Sequence, residues 1–163
     1  MDLAKLKLED LLLSAIKSEE DSSKLYKKIK NKTKNGLLQD KLEFLAREEE
    51  KHKAFIEEIY KNQFPRKKIN LPLKTSVPLP EVKIAKETPL SVLLSEAMNA
   101  EDAASTFYKK LAERFEKDSK ISKTLLYFAD METGHYKILE QEKYSMQRYE
   151  EDDVYWPMIH VGP

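Results

Sequence analysis

The sequence predicts an all-α fold, an antiparallel four-helix bundle in which two helical hairpins are joined by a long crossover between helices 2 and 3. Three observations support this prediction. Four stretches carry apolar residues at alternating spacings of three and four, which is typical of helices that pack in a bundle. The breaks between these stretches are short, long and short. Two segments of the first half recur in the second half, as expected for a duplicated hairpin.

The first hairpin consists of helices 1 and 2. Helix 1 is predicted over about residues 7–32, and the Asn35-Gly36 pair predicts a tight turn after it. Helix 2 is predicted over about residues 37–61. Pro65 ends this helix, because proline lacks an amide hydrogen and clashes with the preceding turn. The short turn makes the two helices antiparallel neighbours.

The second hairpin begins at Thr88-Pro89, because threonine is a favourable N-cap and proline suits the first helical position. Helix 3 is predicted to end near residue 117. Asp118 or Ser119 can then cap helix 4, which is predicted to run to about residue 148. This connection is also short, so helices 3 and 4 form a second antiparallel pair.

The crossover, residues 63–87, contains four prolines interleaved with apolar residues. Proline excludes regular helix, and the apolar residues argue against a disordered linker. We therefore expect the crossover to lie extended along the outside of the bundle, which is the ferritin-like connectivity. Residues 1–148 are predicted to form the bundle. Residues 149–163, which become apolar towards their end, are predicted to form a tail docked on the bundle or on a partner subunit.

Each helix carries ionisable residues at positions where its apolar pattern requires hydrocarbon. Burying four carboxylates and two imidazoles is strongly unfavourable unless something compensates their charge and polarity. The simplest compensation is a pair of metal ions. The six candidate ligands are Glu19, Glu49, His52, Glu101, Glu132 and His135.

The internal repeat supports this set. Residues 15–28 align with residues 97–110, which pairs the candidate glutamates of helices 1 and 3. Residues 45–52 align with residues 128–135, which brings two Glu-x-x-His motifs into register. A glutamate and a histidine three residues apart lie on one face of a helix. Bundles that hold two iron or two manganese ions use this ligand pattern.

The charge of the candidate ligands matches that of two divalent ions, because four carboxylates carry four negative charges and two divalent ions carry four positive ones. Oxygen and imidazole ligands without thiolate suit iron or manganese. Six side chains cannot saturate two six-coordinate ions unless carboxylates bridge them. Some coordination positions would therefore remain for water, O2 or peroxide.

On these residues the chain resembles a rubrerythrin-type, ferritin-like di-iron carboxylate protein over all four helices, about residues 8–148. The resemblance implies that the six residues hold two iron ions in an Fe–O–Fe type site, with manganese or a mixed pair as alternatives. It also implies redox cycling of a carboxylate-bridged site, with hydrogen peroxide or O2 as the oxidant, in defence against oxidative stress.

Two features depart from the family pattern. Rubrerythrins proper carry a rubredoxin domain with four cysteine ligands, and this sequence has no cysteine. We therefore expect a separate, rubredoxin-like or other electron donor. Rubrerythrins also have an extra glutamate in helix 3 that allows a ligand switch, and Ala104 occupies that place here. The resemblance therefore does not carry over the switch, or a peroxidase activity as efficient as in true rubrerythrins.

Other polar residues near the candidate ligands receive simpler interpretations. Tyr26 and Tyr108 lie two turns beyond the glutamates of helices 1 and 3, so we expect core packing with a hydrogen bond to a ligand carboxylate. A transient radical on them is the alternative. Four acidic neighbours of the ligands lie off the apolar series and are expected to be exposed: Glu20, Glu48, Glu50 and Asp102.

Composition limits the function classes. The formal net charge is zero and the charges are interspersed, so no basic surface suggests nucleic acid. No apolar run approaches the ~20 residues of a membrane span, and the N-terminus lacks a signal-peptide pattern. A cytoplasmic location is expected. The apolar crossover and tail predict at least a homodimer.

Three functions remain in competition. The first is an oxidoreductase that reduces peroxide or O2 with electrons from the external donor. The second is a ferroxidase or iron-handling, ferritin-like protein that oxidises Fe(II) and passes on Fe(III). The third is a helical bundle whose metal is purely structural or absent. A hydroxylase acting on an organic substrate is a further alternative on this scaffold, since fold alone does not determine function.

Overall fold

The computed structural model describes residues 5–73, 88–117 and 119–155, with side chains as far as Arg148. Its described part is all-α, as predicted, and consists of four long helices. The helices are α1 (Leu8–Lys32), α2 (Gly36–Gln63), α3 (Leu90–Ala112) and α4 (Lys120–Tyr155).

The helices pack most extensively within the two hairpins, α1 with α2 and α3 with α4. The hairpins meet through α1 against α3 and through α2 against α4. Side-chain contacts show that both of these pairs are antiparallel. Tyr26 and Tyr108 contact the glutamates of the facing helix, and α2 contacts α4 through Lys41 with Glu142. The antiparallel bundle of two hairpins is therefore confirmed.

The first hairpin turn forms as the sequence predicts, with helix ends within two residues of the expected positions. Asn35 is the N-cap of α2, and its side-chain oxygen accepts a hydrogen bond from the amide of Leu38 at 3.2 Å. The side-chain amide of Gln39 closes the turn by donating to the carbonyl of Thr33 at 2.7 Å. These bonds satisfy backbone groups that a helix end leaves unpaired.

The predicted ends of α3 were wrong. Pro89, not Thr88, is the N-cap, because its extended backbone (φ −56°, ψ 148°) places the first helical residue at Leu90. The helix ends at Ala112, five residues before the predicted position. There the amides of Arg114 and Phe115 bond carbonyls three residues back, which tightens the last turn and stops the α-helix.

The ends of α4 differ from the prediction in one respect. Ser119 caps the helix, since its hydroxyl accepts a hydrogen bond from the amide of Ser122 at 3.1 Å. The helix continues to Tyr155, seven residues past the predicted end at Arg148. The predicted docking of the tail involves side chains beyond Arg148, which lie outside the described residues.

The first part of the crossover packs on the bundle. Phe64, Ile69 and Leu71 contact the apolar core. The hydroxyl of Tyr60 donates to Glu9 at 3.1 Å, and the ammonium of Lys67 pairs with the same carboxylate at 2.5 Å. Residues 64–71 are therefore held against the bundle, as expected for an external strap. Residues 74–87 lie outside the described part.

The apolar core consists of two clusters at opposite ends of the bundle. The first cluster joins the beginnings of α1 and α4 to the ends of α2 and α3 and includes Leu12, Ile59 and Leu111. The second cluster occupies the other end and includes Leu42 and Leu94. The middle layer between the two clusters is polar. The interruption of the apolar series therefore corresponds to one continuous layer of the structure.

No helix in the described ranges combines the length and hydropathy that crossing a bilayer requires.

Gly134, inside α4, offers a test of local stability. A β-carbon added there meets nothing within 4 Å, and the backbone is not in the left-handed region. Glycine in a helix interior costs about 1 kcal/mol relative to alanine. We expect Gly134→Ala to raise the free energy of unfolding by about 1 kcal/mol in urea titrations of metal-free protein.

Gly36→Ala is the matched control, because it also meets open space but lies at the first position of α2, where helix propensity matters less. A loss of stability in Gly134→Ala, with none in Gly36→Ala, would contradict the open environment assigned to this position of α4.

Candidate metal centre

The structure brings all six predicted residues into the polar middle layer. They come from all four helices, and each is no more than 3% exposed. Apolar side chains of the two clusters lie above and below them. The sequence alone suggests this arrangement because each residue continues an apolar helix face.

The six residues form two groups that share two members. In one group, Glu19 and His52 lie with Glu49 and Glu132; in the other, Glu101 replaces Glu19 and His135 replaces His52. Within each group the potential ligand atoms lie within 4.8 Å of one another. The shared Glu49 and Glu132 lie between the groups, where carboxylates could bridge two ions. The two groups correspond through the sequence repeat, so the centre has approximate two-fold symmetry.

Both histidines present Nδ1 to the carboxylates. Nδ1 of His52 is 2.9 Å from an oxygen of Glu132 and 3.5 Å from one of Glu49. Nδ1 of His135 is 3.0 Å from Glu132 and 3.2 Å from Glu49. The imidazole rings are nearly parallel, with centroids 5.9 Å apart. Each histidine therefore contacts both shared carboxylates with the same ring nitrogen.

Several of these buried atoms lack a hydrogen-bond partner. They are Oε1 of Glu49, Oε1 of Glu132 and both ring nitrogens of His52. Nδ1 of His52 contacts Oε1 of Glu132 at 2.9 Å as an ion pair, although neither atom has a hydrogen-bond partner. Buried polar groups are ordinarily paired. Unpartnered oxygen and nitrogen atoms that converge on one space are compatible with a di-iron site, since iron takes both donor types.

The four carboxyls differ in their protonation. Burial and repulsion by neighbouring carboxylates raise the pKa of Glu19 and of Glu101 well above the usual range. Burial also acts to raise the pKa of Glu49 and Glu132, but contacts with the two histidines outweigh it and lower both values. Without metal, these directions favour the ionised form of the two shared carboxylates and the protonated form of the two outer ones.

The histidines carry the compensating charge. Burial alone would lower the pKa of His52, but contacts with Glu132, Glu19 and Glu49 raise it to about 11. Burial opposes the charge of His135 in the same way, and its carboxylate contacts raise its pKa to about 12. The charges of two imidazolium ions and two ionised carboxylates cancel, so these directions favour a neutral metal-free centre. This neutrality allows the layer to remain buried.

Tyr26 and Tyr108 connect the hairpins at this centre. The hydroxyl of Tyr26 in α1 donates to Glu101 in α3, and the hydroxyl of Tyr108 in α3 donates to Glu19 in α1. Each tyrosine thus bonds the carboxyl of the opposite hairpin. Sequence spacing predicted a bond to a ligand carboxylate but could not tell which one, since that depends on how α1 faces α3. Burial and nearby carboxylates raise the pKa of Tyr108 well above its usual value, which keeps its hydroxyl protonated.

The acidic neighbours of the candidate ligands have two different environments. Glu20 and Glu50 pair with lysines on the α1–α2 surface, and Asp102 is exposed. Glu48 contradicts the prediction that it is exposed, because it is only 9% exposed and lies on the side of α2 that faces α4. Ala104, at the place of the family's extra glutamate, is buried and offers no ligand atom.

This fold and side-chain cluster define a class: a four-helix bundle whose carboxylate and histidine residues are compatible with a di-iron site. The family model described as Rubrerythrin matches residues 10–143, and the chain belongs to the rubrerythrin family. The chain is also similar to the solved structure of a hypothetical protein from Pyrococcus furiosus. The two are 34% identical with a TM-score of 0.80 over 91% of this chain and 95% of that chain. No curated protein matches it.

The electrostatics of the metal-free centre can be tested by amide substitutions. Glu132→Gln removes a charge that both buried imidazolium ions contact, so we expect it to destabilise the metal-free protein by about 3 kcal/mol. Glu101→Gln replaces a carboxyl whose raised pKa favours the neutral form, so it is expected to cost much less. Urea unfolding at pH 7 in chelator would measure both; equal losses would contradict the assigned charges.

Proposed function

We propose that this protein is a non-haem di-iron oxidoreductase that reduces hydrogen peroxide or O2 with electrons from a separate donor protein. The observation that carries the proposal is the pair of ligand groups sharing Glu49 and Glu132. Membership of the rubrerythrin family supports iron as the metal. In this proposal the metal ligands are Glu19, Glu49, His52, Glu101, Glu132 and His135.

Bound at these residues, two ferrous ions would supply the two electrons that, with two protons, reduce one hydrogen peroxide to two waters, and the donor would return both electrons. Glu49 and Glu132 lie where each could contact both ions. The coordination of one ion would be completed by Glu19 and His52, and that of the other by Glu101 and His135. Oxygen and imidazole donors suit iron in either of the two charge states this cycle requires.

The remaining residues orient the ligands and exclude water. Tyr26 and Tyr108 hold the outer carboxyls by hydrogen bonds, and partners of this kind typically change metal affinity by 10–100-fold. The two apolar clusters close the layer at both ends of the bundle. Ala104 leaves the Glu101 half without an additional carboxylate, so a ligand exchange at this position is not part of the proposed cycle.

Metal content and oxidation rates test this proposal. Protein loaded anaerobically with Fe(II) is expected to retain two irons per chain and to oxidise faster with hydrogen peroxide than with O2, as followed by stopped-flow absorbance. Glu49→Ala is expected to lose metal while its circular dichroism remains helical, because a shared ligand is removed from both groups. Uptake of far more than two irons would instead favour iron storage. Absence of metal with full stability in chelator would favour a structural bundle.

Proton release offers a second test of the same ligand set. In the metal-free centre, the raised pKa of Glu19, Glu101, His52 and His135 favours the protonated form of each. Each protonated group would lose its proton to bind an ion, so loading at pH 7 should release protons, up to four per chain, and apparent affinity should fall as the pH falls. A pH-indicator titration with Mn(II) would measure this release. Loading without proton release would contradict the ligand assignment.

A further inference from the structure

The centre is enclosed on all sides, so an ion needs a route to it. Every candidate ligand is at most 3% exposed, and the two apolar clusters block the ends of the bundle. Entry must therefore pass between helices. The α2–α4 side is a candidate, because these helices pack far less extensively than the partners within each hairpin.

Two contacts fix the register of α2 against α4. Lys41 pairs with Glu142, and the rings of Phe55 and Phe128 meet edge to face with centroids 5.3 Å apart. The residue numbers of both pairs add to the same value, as they must in a pair of antiparallel helices. The same register places Glu48 level with His135.

One half of this side is closed by apolar side chains. Phe128 lies 4.1 Å from the ring of His52, centroid to centroid, and Phe55 packs against Phe128. Met131 packs against the same apolar cluster. A hydrated cation would find no oxygen ligand among these three side chains, so this half opposes entry.

The other half carries carboxylates. Glu48 and Glu142 are each 9% exposed and belong to facing helices. Glu48 pairs at 2.5 Å with Lys51, whose side chain is 70% exposed and therefore reaches solvent. At the inner end lies Oε1 of Glu49, which accepts no hydrogen bond and forms an ion-pair contact of 3.2 Å with Nδ1 of His135. The sequence repeat shows the same difference between the apolar half and the carboxylate-bearing half, because the apolar Met131 is the counterpart of the acidic Glu48.

The geometry points to a metal-entry route between α2 and α4, in which Glu48 draws a divalent cation from solvent towards the Glu101–His135 half of the centre. A carboxylate that is nearly buried beside a ligand lowers the barrier for a cation that is losing its water. The positive charge of Lys51, which pairs with Glu48 and is exposed to solvent, weakens this attraction. This inference rests on the proposed metal centre, but it concerns the rate of loading rather than the final occupancy.

The test measures cobalt(II) uptake by stopped-flow absorbance and its release to EDTA, with full-length protein. Glu48→Gln is expected to slow both processes about tenfold while two ions still bind at unchanged affinity, because attraction along a charged path changes rates. Lys51→Ala is expected to speed uptake roughly twofold or more, because it frees the same carboxylate. Lys51 is largely exposed, so this variant does not depend on core packing.

Glu20→Gln is the matched control, since Glu20 also adjoins a candidate ligand and pairs with lysines, but on the α1–α2 surface. It should load at the wild-type rate. Unchanged rates in both Glu48→Gln and Lys51→Ala, or equal slowing by Glu20→Gln, would overturn the route while leaving the centre intact. Failure of the wild type to bind two cobalt ions would overturn the centre and the route together.

Discussion

The structure depends on burying a layer of four carboxyls and two imidazoles between two apolar clusters. Such a layer is stable only if its charges cancel, since isolated charges in a protein interior are costly. Without metal, two imidazolium ions balance the two shared carboxylates, and the raised pKa of each outer carboxyl favours its protonated form. Divalent ions could replace these protons without changing the neutrality of the layer. The same electrostatic requirement therefore explains both the burial of the cluster and its fitness for metal.

Most of the centre could be predicted because its residues obey the helix periodicity. Glu49 and His52 continue the apolar face of α2, and the repeat places Glu132 and His135 in the same phase of α4. The phase of a long helix determines which side chains face the core. Helix ends were less predictable, because α3 ends where local backbone bonds tighten its last turn, and no residue type marks that point.

Glu48 shows where sequence periodicity stops being informative. Its position lies off the apolar series, so the pattern alone predicts an exposed charge. It is nevertheless buried, on the side of α2 that carries Lys41 and Phe55, and the contacts of those two residues with α4 are distant in sequence. The two-fold symmetry suggested by the repeat is likewise incomplete, because Glu48 and Met131 occupy equivalent positions with opposite polarity. Such differences between the halves require the tertiary structure.

The location of the centre also affects how the bundle holds together. The hairpins pack extensively within themselves, whereas contacts between them are fewer. Tyr26 with Glu101, and Tyr108 with Glu19, already link one hairpin to the other. Each candidate ligand group also takes residues from both hairpins. An ion bound by either group would therefore contact both hairpins, and its binding free energy would add to the stability of their association. The candidate metal centre is in this way part of the interface that completes the fold.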